Sequence, residues 1–302
     1  MKHIVSFSGG RSSRLLVHLM EIKRKEENLD VEYVYMDTGA EHPKTYEFIR
    51  NVVKLYNIHL TCLRAKFGPF GVGTSYTILP VEDICYDLDA VWKPMIEKYS
   101  TPHNPGGGFC TMHMKNLPCL AYIKDKYPKE KITQWWGIRA DEPKRLKEKE
   151  GIRYLAELTS FEKEDVLEWS YKQDVDLELE YSDITGNCVF CIKRSNLKVA
   201  LAARYEPELA TDFINLTEHP DVRVSTTDAR CMSLPEEMYR GEMSLRDIRR
   251  VFEEYSNEEI EQRLKLSKRY DSGSCSESCE ALNADIDSLT EQMLGELDWA
   301  EI

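Results

Sequence analysis

Two thiols and a run of hydroxyls mark the places where this chain can do chemistry. Cys188 and Cys191, in Gly186-Asn187-Cys188-Val189-Phe190-Cys191-Ile192-Lys193-Arg194, have the spacing of a knuckle that puts two thiolates on one metal. Lys193, Arg194 and the local backbone N–H groups would lower the thiol pKa values. A buried apolar pair is the alternative. At the other end, Ser6-Phe7-Ser8-Gly9-Gly10-Arg11-Ser12-Ser13 reads as a strand, a tight turn and the start of a helix. Gly9 and Gly10 let the backbone turn sharply, and the hydroxyls of Ser6, Ser8, Ser12 and Ser13 can cap the helix or bind phosphate oxygens. A helix N-terminus presents unsatisfied N–H groups and a partial positive charge, so the whole is a phosphate site or an ordinary strand-to-helix turn.

The elements that must position these groups follow from periodicity. Leu15, Leu16, Leu19 and Met20 give a helical stripe running toward Lys25, and residues 31–36 form a strand ending in Asp37-Thr38-Gly39. A helix is predicted over 45–56 and a strand over 58–63. The order β-α-β-α-β predicts parallel strands with right-handed crossovers, and ligands in such sheets bind at the C-terminal strand ends. Residues 67–108 read as a long irregular loop broken by a short helix at 88–98. A helix at 112–126 and a strand at 132–138 follow, the strand running out into Arg139-Ala140-Asp141-Glu142-Pro143-Lys144-Arg145. Further helices are predicted at 163–172, 196–205, 244–255 and 257–270. The expected organisation is an α/β domain over 1–200, a Rossmann-like parallel sheet with helices on both faces. A helical extension covers 201–270, and an acidic tail with an amphipathic helix covers 271–302.

Composition narrows the function classes. The 302 residues carry 53 acidic and 40 basic side chains, a formal charge of −13, which argues against a basic nucleic-acid footprint. Nucleic acid is therefore a disfavoured partner. From Asp271 to Ile302 there are nine acidic residues and no Lys or Arg, so the body is closer to neutral and can still hold a basic pocket. No run approaches the ~18 apolar residues of a membrane span, and the start lacks the layout of a signal peptide. The nine cysteines are odd in number and scattered, which suits metal, redox or buried thiols better than a disulfide framework. A cytoplasmic protein with no membrane partner is the expectation.

Taken in order, the motifs resemble the phosphoadenosine phosphosulfate reductase-like family of the adenine-nucleotide alpha-hydrolase-like superfamily, over roughly residues 1–200. Ser8-Gly9-Gly10-Arg11-Ser12-Ser13 is similar to the family's PP-loop, Ser-Gly-Gly-x-Asp-Ser. Met36-Asp37-Thr38-Gly39 with His42-Pro43-x-Thr45-Tyr46 looks like its second strand end. Trp136-Gly137-Ile138-Arg139 with Glu142 and Arg145 looks like its sulfonucleotide-binding segment. The resemblance implies an adenine nucleotide or sulfonucleotide bound by Ser6, Ser8, Gly9, Gly10, Arg11, Ser12, Ser13, Asp37, Thr38, Gly39, Gly137, Arg139 and Arg145, with Lys144 also near the anion. One departure bears on mechanism. Ser12 stands where ATP pyrophosphatases of the superfamily carry Asp, and serine cannot supply a carboxylate for Mg²⁺ on ATP. The swap leaves phosphate cradling intact and puts ATP cleavage in doubt.

The same resemblance extends to the thiols. Cys110-Thr111-Met112-His113-Met114-Lys115-Asn116-Leu117-Pro118 is similar to the Cys-Cys-x-x-x-Lys-x-x-Pro segment of iron–sulfur sulfonucleotide reductases, with Thr111 in place of the second cysteine. It implies a [4Fe–4S] cluster on Cys110, Cys188 and Cys191, with Cys231 as the preferred fourth ligand and Cys119 or His113 as alternatives. Zinc is the alternative metal. Family reductases carry a catalytic cysteine on a C-terminal tail, so Cys275 and Cys279 become candidate nucleophile and resolving thiol, with Lys115 adding charge beside the cluster. The family tail motif Glu-Cys-Gly-x-His is absent, and Glu277 and Glu280 would raise a thiol pKa. The implied activity is an oxidoreductase of sulfur metabolism, regenerated by thioredoxin or glutaredoxin. An ATP-dependent sulfurtransferase acting on nucleic acid, or a non-catalytic accessory protein whose acidic tail docks on a partner, are the alternatives.

Overall fold

A computed structural model describes residues 1–69, 72–100, 109–179, 181–219, 222, 238–239 and 243–266. Its centre is a six-stranded sheet in the order β4-β3-β2-β1-β5-β6. The strands are β1 (Lys2–Ser6), β2 (Asp30–Asp37), β3 (Leu60–Phe67), β4 (Thr74–Leu79), β5 (Ile132–Trp136) and β6 (Ile152–Tyr154). All neighbours are parallel except β3 and β4. β1 lies between β2 and β5, with Val5 opposite Tyr33 on one side and Trp135 on the other. The strand order reverses there, which is where ligands bind in open α/β sheets.

Alternation along the strands fills two core layers. Val5, Tyr33, Tyr35 and Cys62 pack toward α1 (Arg11–Glu27) and α2 (Pro43–Tyr56), while Ile4, Val34, Met36 and Leu63 pack toward α5 (Leu117–Lys126) on the other face. Helices therefore cover both faces, as expected. Pro43 opens α2 at a position where its missing N–H is no loss, and Asn28 and Asn57 end α1 and α2 in the left-handed conformation. A third core joins α3 (Leu88–Tyr99) to α8 (Asn196–Tyr205), α9 (Pro207–Thr217), α10 (Leu245–Val251) and α11 (Asn257–Leu266). Short helices α4 (Phe109–Thr111) and α7 (Ser182–Thr185), with α6 (Lys163–Tyr171) between them in the chain, complete the described elements. No helix among the described residues is long and apolar enough to cross a membrane.

Four elements depart from the expectations. The segment read as an irregular loop contains β4, an antiparallel edge strand whose largely exposed side chains and flanking Gly and Pro hid its alternation. β6 and α9 had no expected counterpart. The helix expected at 112–126 runs from α4 through a π-turn, Met112–Asn116, into α5. Pro118 cannot donate to the Met114 carbonyl, and the Leu117 N–H bonds back to Met112 instead, widening the turn. Residues 101–108, the residues around Cys231, Cys275 and Cys279, and the span of the expected tail helix fall outside the described residues.

Candidate nucleotide and cysteine site

The turn after β1 is organised by one hydroxyl. Ser13 Oγ accepts from the Ser8 N–H at 3.2 Å, the Ser8 hydroxyl at 3.1 Å and the Gly10 N–H at 3.2 Å, and donates to the Gly10 carbonyl at 2.9 Å. Ser13 thus serves the loop itself. The first-turn N–H groups of α1, which no helix can satisfy internally, are left to face an anion. Gly9 sits at φ +78°, and a Cβ there would lie 2.8 Å from the Thr45 methyl. Arg11 turns away from the loop: its guanidinium pairs with both Asp176 oxygens at 2.9 and 2.7 Å and donates to the Leu177 carbonyl. That cation ties α1 to the chain beyond α6.

Across the switch point, β5 ends in Gly137-Ile138-Arg139. Arg139 is buried, and its Nη1 donates to Ser12 Oγ at 3.1 Å, closing the gap between the β1 and β5 loops. Asp141 holds the same guanidinium at 2.8 and 3.2 Å. Glu142 accepts from the Arg139 N–H at 3.1 Å and pairs with Arg145, so it orders the segment. Lys144 is exposed. Arg139 is therefore a cation held against the β1 turn through Ser12.

The β2 end builds a buried chain of charge. Asp37 is fully buried; its Oδ2 accepts from Arg64 at 2.9 and 2.6 Å, and its Oδ1 from the Gly39 N–H at 3.1 Å and the Tyr46 hydroxyl at 3.3 Å. Burial pushes the Asp37 carboxyl above its ordinary range, Glu41 adds to the push, and Arg64 opposes it. Tyr46 also reaches Glu41 Oε2 at 3.0 Å, beside the Thr38 hydroxyl at 2.7 Å. The other Glu41 oxygen lies 3.6 Å from Lys115 Nζ. Arg64, Asp37, Tyr46, Glu41 and Lys115 thus run unbroken from β3 to the π-turn. Glu41 and Arg64 escaped the sequence reading, because a charged residue at a strand end or in a loop carries no sign of burial.

Gly39 fixes this corner. It sits at φ +67°, its carbonyl accepts from the Asp87 N–H at 2.9 Å, and a Cβ would lie 2.2 Å from the Asp87 carbonyl oxygen. Gly39→Ala is expected to lower stability by about 2–4 kcal/mol, seen as a drop in the urea midpoint. A midpoint within error of the wild type would show that the corner moves freely.

Lys115 opens onto a small, mostly apolar-walled cavity of about 30 Å³ that Cys110, Cys188 and Cys191 also line, with Thr38 and Trp92. The structure therefore gathers all three sequence-nominated thiols with the nominated lysine, at the β2 end. The Val189 N–H donates to the Ala40 carbonyl at 3.2 Å, and Glu41 bridges to Cys188, so the knuckle is stitched to the Asp37-Thr38-Gly39 loop. Arg194 is buried and donates to the carbonyls of Val189 and Gly186, wrapping the knuckle. The alternative ligands lie elsewhere. Cys119 is buried in the core under α5, its thiol pushed up to about 12 by desolvation. His113 stacks with Tyr99 and Phe109, and burial lowers it to about 4. Among the described residues no three His, Cys, Asp or Glu side chains gather as ligands of one ion. Cys231, Cys275 and Cys279 lie outside the described residues.

Comparison with known proteins gives two matches. Residues 2–69, from β1 to the β3 end, match the phosphoadenosine phosphosulfate reductase domain. An uncharacterized nin region protein of Escherichia phage lambda, ORF290, is 45% identical over 291 residues, covering 95% of this chain and 97% of its own length. No solved structure matches.

Proposed function

The chain belongs to one family with the lambda nin region protein and matches the phosphoadenosine phosphosulfate reductase domain over residues 2–69, and from that premise we propose that it binds an adenylyl sulfonucleotide and performs thiol-dependent sulfur chemistry on it. The observation that carries this reading is the continuity between the two halves of the site. Thr38 lines the cysteine cavity one residue beyond Asp37, on the strand next to the Ser8–Ser13 turn. In this reading the phosphates lie over the α1 N-terminus, and Arg139 binds the sulfate or a ribose phosphate. Lys115, held by Glu41, supplies positive charge at the cavity.

For the metal, a [4Fe–4S] cluster is favoured over zinc, because the three thiols line one cavity without gathering around a single ion. Cubane irons each take a separate thiolate, whereas a zinc site needs its donors gathered on one ion. Cys110, Cys188 and Cys191 would hold the cluster, with Cys231 as fourth ligand. When bound it would supply charge and electronic tuning beside the reacting sulfur. The reduction itself needs a thiolate, for which Cys275 is the candidate. Attack on the sulfonate sulfur breaks its bond to the phosphate oxygen, leaving a Cys275 S-sulfonate and the nucleotide phosphate. A dithiol such as thioredoxin then releases sulfite and is itself oxidised to the disulfide.

Incubation with phosphoadenosine phosphosulfate or adenosine phosphosulfate and a thioredoxin system is expected to give sulfite. Nucleotide binding without sulfite would overturn the reductase reading, and pyrophosphate release from ATP would replace it by sulfur transfer. Anaerobically purified protein is expected to contain iron and sulfide and to show a thiolate–iron visible band. Cys188→Ser should lose most of that band while binding nucleotide within about 3-fold of wild type, because the β1 loop does not contain it. Zinc without iron would remove the cluster from the proposal.

A further inference from the structure

Outside the cysteine cavity, four arginines line one groove of about 550 Å³ between α8, α9 and α10. They are Arg204, Arg246, Arg249 and Arg250, over a floor that includes Ala203 and Ile214. Among the described residues, Glu253 is the one acidic side chain in that lining. The existing partners are weak holds. Arg246 pairs with Glu218 at 2.9 and 2.8 Å and Arg250 with Asp247 at 3.1 Å, but their side chains are 64% and 77% exposed. Exposed pairs of this kind are worth about 0–1 kcal/mol and exchange readily. Arg204 donates to Asn257 at 2.8 Å and to the Phe252 carbonyl, and Arg249 has no ion-pair partner among the described residues. A four-arginine groove with an apolar floor is conspicuous in a chain of charge −13.

We propose that the acidic C-terminal segment of the same chain, residues 280–302, docks in this groove. Its charge matches: Asp285, Asp287, Glu291, Glu296 and Asp298 alternate with Leu289, Met293 and Leu297 at helical spacing, and no Lys or Arg interrupts them. Its reach suffices. α11 packs on α8 and ends at Leu266, and a flexible chain of the roughly 20 residues from there to Asp285 could span about 25 Å. α11 is only about 15 Å long, so the segment can return along it to α8. Tethering gives it a local concentration near the millimolar range, while the net negative charge of the protein opposes a nucleic acid competing for the same arginines.

Hydrogen exchange on the full-length protein tests this. Amides over 285–298 are expected to exchange about 10-fold more slowly in the wild type than in the variant carrying Arg246→Ala, Arg249→Ala and Arg250→Ala. The protection should also fall on raising salt from about 0.05 to about 0.5 M. The full-length Glu291→Lys, Glu296→Lys variant, which leaves the groove untouched, should lose the protection as well. Equal protection in all forms would overturn the proposal. So would protection that grows with protein concentration, which would mean a second copy. A groove protected only by an added oligonucleotide, with the tail unchanged, would assign the arginines to nucleic acid instead.

Discussion

Arg64→Met is expected to destabilise the protein by about 3–5 kcal/mol at neutral pH, because it strands a fully buried carboxylate. Asp37 has no exposure, and Arg64 supplies both charge-assisted bonds to its Oδ2, at 2.9 and 2.6 Å. With Arg64 present, burial and Glu41 already hold the Asp37 carboxyl above its ordinary range. Removing the guanidinium takes away the main opposing influence, so the folded-state pKa rises further above the unfolded value of about 3.9. The folded state then binds a proton that the unfolded state does not, and stability increases as pH falls toward the folded pKa. Urea unfolding from about pH 8 to pH 5 should therefore show the variant recovering part of its deficit on acidification, and losing it again as pH rises. The Asp37→Asn, Arg64→Met double variant should regain most of the loss and show no such recovery. A deficit independent of pH would mean that Asp37 is not the group left exposed to the change.

That pair marks the border of what the sequence discloses. Strand–turn–helix order, Asp37-Thr38-Gly39 and the Cys188/Cys191 spacing are local patterns, and each appears where periodicity and turn chemistry place it. The sheet centre was legible for the same reason: β1 and β2 are short apolar runs ending in functional loops. What escaped is long-range. Arg11 lies within the Ser8–Ser13 turn, yet its guanidinium goes to Asp176, 165 positions away. Glu41 reads as a loop carboxylate until the π-turn, itself a consequence of Pro118, brings Lys115 to 3.6 Å from it. β4 escaped because an exposed edge strand has no buried face to announce it. Convergence of Cys110 with Cys188 and Cys191 could be read only through a resemblance, since 78 residues separate the first two and no local rule joins them.

Ser12→Asp will not restore ATP cleavage, and it is expected to weaken sulfonucleotide binding by about 10–100-fold. Ser12 is fully buried and its Oγ lies 3.1 Å from Arg139 Nη1. A carboxylate introduced there finds a guanidinium at contact distance before it finds a metal, and in a dry site that pairing dominates. Asp141 already holds Nε and Nη2 of that guanidinium, so a second carboxylate on Nη1 leaves the cation assigned to the substrate's anionic end outweighed by negative charge. A loss of about 1.4–2.8 kcal/mol of binding corresponds to the stated range. Arg139→Ala should show a loss of similar size, and Ser12→Ala a change of less than about 3-fold, because it keeps the cation and removes one neutral contact. Adding Ser12→Asp to Arg139→Ala should cost more than either change alone, because the new carboxylate is then left without its cation beside the anionic substrate. Calorimetric titration with phosphoadenosine phosphosulfate reads all four variants, and thermal unfolding separates a folding defect from a binding one. Magnesium-dependent pyrophosphate release by Ser12→Asp would show that Arg139 yields its place to a metal. The loop would then be an ATP-cleaving one that a single residue had silenced, rather than one built around an arginine.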